Sequence, residues 1–469
     1  MEQRNLKKDL GRGEGGMSLG DSAVHGHVMS GRSETGEPRA GLLSKAFVVL
    51  AFLNFLVGAS LGGWMASDPS LWGYVSPIHG ELNPFGFLSL LIYGMTYAVL
   101  QMLAGLTPPK AWIGVLHVFV AECGVVVVVI ALLGVKSLLL PGLALQTLAP
   151  IVFLVNILSA VTAKRRGAAA QNNPEEHRYL PTQASTSPLL SRHPLLRPTD
   201  KIAQRGTDVS LMLFIVGCIW LFVLSARYGE GLMQAWDGPH SAGFLLVAYG
   251  WIAGTVLAVS LHLFPRFLGS DKFSAKSASV GQIAWGIGVV VAVVGVVSHS
   301  GTTMFVGDRL LGLSILWFSV VFLRALWTSP RRTSSGLTSR MHAGMAAQLA
   351  WSSAWLFFLA LGVSLIVGLP PTSIPALHML FLGFSASLVY GVGYALFPRL
   401  FGRRDPHAAI AVAQVIVAVL GALLMVTAFI LQLYGVMGGS STDLLMVGGI
   451  CAATAAVVFL LTWPMVGRR

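Results

Sequence analysis

Residues 378–402 read HMLFLGFSASLVYGVGYALFPRLFG. From His378 to Pro398 there is no Asp, Glu, Lys or Arg, and Arg399 then closes the run. A helix of about 20 mostly apolar residues crosses a bilayer, so this stretch reads as a complete span that opens on a histidine. Working outward from it, the same alternation of long apolar run and short connector recurs along the chain. The spans fall at about 42–66, 78–104, 111–133, 138–163, 208–227, 239–268, 278–300, 304–327, 344–368, 373–398, 408–434 and 441–467, with ends set to within a few residues. The expectation is an all-α polytopic membrane protein of about twelve transmembrane helices.

Composition agrees. The chain has 469 residues, 55% hydrophobic and 11% charged, where a soluble domain carries roughly a quarter charged residues. The formal net charge of +12 does not point to nucleic acid, because the basic residues lie mostly in connectors between apolar runs. Cys123, Cys218 and Cys451 all fall inside apolar runs, which argues against a disulfide framework. Residues 1–41 are polar and glycine-rich and read as a disordered cytoplasmic tail. Four spans follow over 42–163, then a Pro-, Ser-, Gln- and Arg-rich cytoplasmic loop over 164–207, then eight spans over 208–469.

Lysine and arginine set the orientation. They crowd the N-terminal tail, the 164–207 loop, the connector with Arg331, Arg332 and Arg340, the pair Arg403 and Arg404, and the terminal Arg468 and Arg469. The alternate connectors 67–77, 369–372 and 435–440 hold none. Both termini are therefore expected in the cytoplasm, with the chain in the cell (inner) membrane.

Segments 2, 6 and 10 share a loose motif, at a period of four helices. Segment 2 reads HGELNPFGFLSLLIYG over 79–94, segment 6 reads HSAGFLLVAYG over 240–250 and later FPRFLG, and segment 10 ends in FPRLFG. Each opens on a histidine, passes Gly-Phe and reaches Tyr-Gly, but aligning the three on their histidines requires gaps. Glycines alone are explained by close helix packing; a histidine at each start is not.

His79, His240 and His378 stand near the outer starts of these segments. His299, in SHSG, closes segment 7 at the same side. Ionisable residues inside a membrane are rare and tend to be functional. Two neutral imidazoles on facing helices can ligate one heme iron, and one or two more can bind copper. Around His79, Asn83-Pro84 reads first as a helix N-cap followed by proline at the first helical position. If the helix starts earlier, Asn83 at i+4 shares the face of His79 as a supporting partner, and Glu81 at i+2 points away. On segment 3, His117 and Glu122 read as a satisfied polar pair before a proton path. Tyr93, Tyr249 and Tyr390 read as packing residues.

These stretches resemble subunit I of the heme–copper oxidases. Segment 2 is similar to helix 2 of that family, and segment 10 to helix 10, where a histidine stands the same distance before a closing Pro-x-x-x-Gly, here PRLFG at 398–402. SHSGTTMFVGD, 298–308, resembles the end of helix 7. The resemblance implies His79 and His378 as axial ligands of one low-spin heme b, and His240 and His299 as a copper remnant. It also implies departures. The position of the high-spin heme ligand is Ala376, the paired copper histidines are reduced to His299 beside Ser300, Phe244 stands where many members carry a tyrosine, and 435–440 offers no arginine. The implied protein is a heme-binding redox protein with a degenerate dioxygen-reducing centre, served by an electron-donor protein or partner subunit. A heme and copper protein of the nitric oxide response is an alternative, although its His-x-His-Glu-Met start is not matched by residues 79–83. A metal-free transporter is a third reading.

Overall fold

The computed structural model describes residues 39–104, 111–171, 198–228, 239–268, 273–328, 338–400, 405–435 and 439–462. The tail at 1–38 and most of the loop expected at 164–207 lie outside these residues. The described part is all α-helical, in twelve rods. We number them α1 (Arg39–Ser67), α2 (72–104), α3 (Ala111–Leu132), α4 (Leu139–Gln171), α5 (Pro198–Tyr228), α6 (239–267), α7 (Ala275–Val297), α8 (Gly301–Thr328), α9 (Thr338–Val367), α10 (374–400), α11 (Ala408–Leu433) and α12 (Gly439–Thr462). Among the described residues, eleven helices are long and apolar enough to cross a membrane. The twelfth, α2, is one continuous rod of 10, 8 and 15 residues in three helical pieces. This is a multi-pass, all-α membrane protein. Helices α4 and α5 run further than their apolar cores, so helix covers 164–171 and 198–207 where loop was expected.

The apolar runs face two ways. Val115, Phe119, Ile283, Val290 and Leu420 are exposed on outer helices, as a lipid-facing surface requires. The windows of α6 and α10 are the most enclosed, and 84–91 of α2 is wholly buried. These three rods form the centre of the bundle. Trp251 Nε1 of α6 donates to Ser89 Oγ of α2 (3.0 Å), and Tyr249 O–H donates to the carbonyl of Pro371, just before α10 (2.9 Å).

The three central rods share one irregularity. Each is interrupted by an eight-residue π-helical stretch, at Leu82–Ser89, Leu246–Ala253 and Met379–Ala386. A π turn widens the helix and is rare, usually one turn at a functional site. Here it marks an internal repeat. The fifth residue of each stretch is a glycine, Gly86, Gly250 or Gly383, and the sixth an aromatic, Phe87, Trp251 or Phe384. A Cβ on Gly86 would stand 2.8 Å from Asn54 of α1, and one on Gly250 3.0 Å from Leu213 of α5; one on Gly383 would enter Phe357 of α9. The next aromatic stacks on the next residue of the same partner helix. Phe87 lies on Phe55 (4.1 Å, 18°), Trp251 on Phe214 (4.8 Å, 4°) and Phe384 on Phe358 (4.0 Å, 14°). The molecule is thus three four-helix units, each docking its second helix on its first by the same glycine–aromatic step.

This register replaces the alignment on histidines. Counted from the π stretches, the three segments align without gaps, Tyr93 matches Tyr390, and Pro265 matches Pro398. Tyr249 matches neither tyrosine. The histidines are offset: His79 stands three residues before its π stretch, His378 immediately before, and His240 six before. They belong to individual units and are not the mark of the repeat.

Candidate functional site: a paired-histidine cavity

Helix α2 starts at Trp72, well before His79, and carries Pro77 inside its first piece. Asn83-Pro84 is therefore interior and not a cap. Proline has no N–H to give and its ring clashes with the preceding turn of an α-helix; the π stretch that begins at Leu82 accommodates it. With the helix continuous, Asn83 lies one turn after His79 and on its side. Its amide donates to the His79 carbonyl (2.8 Å) and lies 3.3 Å from both ring nitrogens of His79. Glu81 turns away, is buried, and accepts a hydrogen bond from Gln146 of α4.

The structure brings His79 and His378 together. Their ring centroids are 6.5 Å apart and their planes within 12° of parallel. Each ring is fixed from behind by a backbone carbonyl. His79 Nδ1 is 2.8 Å from Gly58 O of α1, and His378 Nδ1 is 2.8 Å from Ile374 O, one turn back on its own helix. A carbonyl only accepts, so both contacts require the proton on Nδ1. That leaves Nε2 of each ring unprotonated, with the Asn83 amide 3.3 Å from that of His79. Gly62 makes room for the first ring, since a Cβ there would lie 2.8 Å from His79 Cε1. Phe429 of α11 packs on the second at 4.5 Å.

Both histidines line a cavity of about 310 Å³ between α1, α2, α10, α11 and α12, at the seam between the third and first units, with Phe244 of α6 reaching its wall. Its wall is apolar and aromatic, including Phe55, Phe87, Phe244, Phe381 and Phe429. Asn83, Ser76 and Thr372 add the neutral polar groups, and among the described residues no Lys or Arg lines it.

His299 is not brought to this pair. His299 sits exposed in the short turn between α7 and α8, in left-handed backbone with φ 51°. SHSG is that turn and MFVG the first turns of α8. The side chain of His240 lies outside the described residues. Ala376 is fully buried, and in α10 it occupies the register that His79 holds in α2. Among the described residues, no group of three or more His, Cys, Asp or Glu is arranged to hold a metal ion.

His117 and Glu122 do not pair with each other. His117 Nδ1 takes the Tyr97 hydroxyl at 2.9 Å, and Glu122 takes the Asn54 amide at 3.0 Å. The Tyr97–His117–Asn156 cluster went unseen in the sequence, because its members come from three helices and no local spacing joins them. No family model matches the chain, and no curated protein compared with it matches either.

Proposed function

We propose that the cavity between α1, α2, α10, α11 and α12 holds one heme b, with His79 and His378 as its axial ligands, and that the protein passes electrons in the cell membrane. One observation carries the reading: two near-parallel imidazoles, 6.5 Å between centroids, each with Nδ1 committed to a carbonyl. Two imidazoles on opposite sides of one metal ion, with bonds of about 2 Å, hold their centroids roughly 6 Å apart. A ligating histidine characteristically donates its other ring N–H to a carbonyl or carboxylate, which sets its tautomer and orientation. Side chains on facing helices are how bundle cores build cofactor sites. The apolar, aromatic wall suits a flat hydrophobic group. Bis-histidine iron has no open position and supplies one-electron transfer in preference to oxygen chemistry.

Within this reading His79 and His378 bind and align the group, Gly58 O and Ile374 O hold their protons, and Asn83 steadies the first ring. The aromatic wall excludes water. Copper is not part of the proposal, since His299 faces outward. The distribution of Lys and Arg supports both termini on the cytoplasmic side. The electron donor would be a membrane-associated reductant or partner subunit.

The test is composition. Protein purified from cells supplied with heme precursor is expected to carry one protoheme per chain by pyridine hemochrome assay, with a low-spin spectrum. A colourless, iron-free protein under those conditions would leave the transporter reading in place.

A further inference from the structure

Away from the histidine pair, the first unit holds a second buried polar group. Tyr97 of α2 meets His117 of α3 at Nδ1 (2.9 Å) and takes an N–H from Asn156 of α4 (3.0 Å). The assignment that leaves fewest groups unpaired has Tyr97 donating to Nδ1, with the imidazole proton on Nε2. His117 is fully buried, and its Nε2 has no partner among the described residues. Neither does Asn156 Oδ1, nor the hydroxyl of Tyr93, whose ring stands edge-on to that of His117 with centroids 4.5 Å apart. Each unpaired buried polar group costs about 1–3 kcal/mol. Three in one place in an apolar bundle call for a further polar partner.

Room for one lies beside Tyr93. A void of about 20 Å³ between α2, α3, α4 and α5 is lined by Tyr93, Ser89 and Gln146 among apolar side chains. One water needs roughly 10–15 Å³ and two to four polar partners. Ser89 Oγ donates to Pro84 O (2.7 Å) and accepts from Trp251 (3.0 Å), which leaves it one lone pair. Gln146 is the residue that reaches Glu81.

We propose that this void is an internal water site, whose water bonds the Tyr93 hydroxyl, Ser89 Oγ and Gln146 and so extends the Gln146–Glu81 pair. The inference needs no heme and stands whether or not the cavity binds one.

Water-edited solid-state NMR on the full chain in bilayers, labelled at tyrosine Cζ, tests it. Tyr93 is assigned by loss of its resonance in Tyr93→Phe. Tyr249 and Tyr390, buried in the other units, serve as dry references and report that the bundle is intact. The expected result is transfer from water to Tyr93 at least five-fold faster than to either reference. Filling the void in Ala149→Leu, and removing a partner without added volume in Ser89→Ala, should each cut that transfer several-fold. Tyr93 as dry as the references, or transfer unchanged in both variants while the references hold, overturns the proposal.

Discussion

His79 and His378 reach the same cavity by different local routes. His378 is held by its own helix, through Ile374 O. His79 is held by a neighbour, through Gly58 O of α1, and by Asn83 one turn on. The first ring therefore depends on α1 staying close, which Gly62 permits. Replacing a supporting partner of a metal ligand costs about 10–100-fold in metal affinity, so Asn83→Ala should lower heme occupancy by about that factor in a heme titration, with the fold unchanged. Gly62→Val should act more strongly, by pushing the His79 ring out of line. The two histidines were readable in sequence as polar residues opening apolar runs. Asn83 was readable there only as the second of two alternatives, because Asn-Pro is a strong local cap signal; the continuous helix through it decides for the supporting role. His299 looked equivalent to the pair by depth; the left-handed turn that exposes it leaves no mark in the sequence.

At the scale of the element, the informative feature is the π stretch. Helix placement followed from apolar run length and charged connectors, and the twelve rods fall where those runs lie. The widened turns could not be found that way, since they change hydrogen bonding and not composition. What they do is rotate the later part of α2, α6 and α10 so that a glycine and the aromatic after it both face the preceding helix of the unit. Buried hydroxyls take up carbonyls five residues back, Ser89 to Pro84 (2.7 Å) and Ser385 to Leu380 (2.8 Å). Overfilling such a contact costs about 1–3 kcal/mol. Gly383→Val, which drives a side chain into Phe357, should lower stability by at least that much in detergent unfolding. Val at Gly73, which has open space around its Cβ position, should change little. Equal losses at both glycines would argue against the docking step.

At the scale of the molecule, three like units make three like seams, and they differ in what fills the shared positions. The seam between the third and first units carries His378 and His79. By the π register the corresponding residues between the first and second are Glu81 and Gly243, and between the second and third Leu245 and Ala376. One seam is thus equipped with two imidazoles and a cavity, one carries Glu81, which bonds Gln146 within its own unit, and one is apolar. The period of four helices was legible in the sequence; its register was not, because the histidines are offset between units. The proposed topology, an even number of spans with cationic connectors on one side, would put both ends of the chain on that side. Reporter fusions at residues 1 and 469 should both be active only in the cytoplasm, and opposite signals would remove one span from the count.

The central claim is that imidazoles from α2 and α10 share one iron. The most direct measurement is the reduced-minus-oxidised spectrum of the purified protein beside His79→Ala, His378→Ala and, as a control on an exposed imidazole, His299→Ala. The account predicts sharp low-spin bands in the native protein and in His299→Ala, and their loss or conversion to a high-spin form in the other two. Unchanged low-spin bands in both His79→Ala and His378→Ala would contradict it.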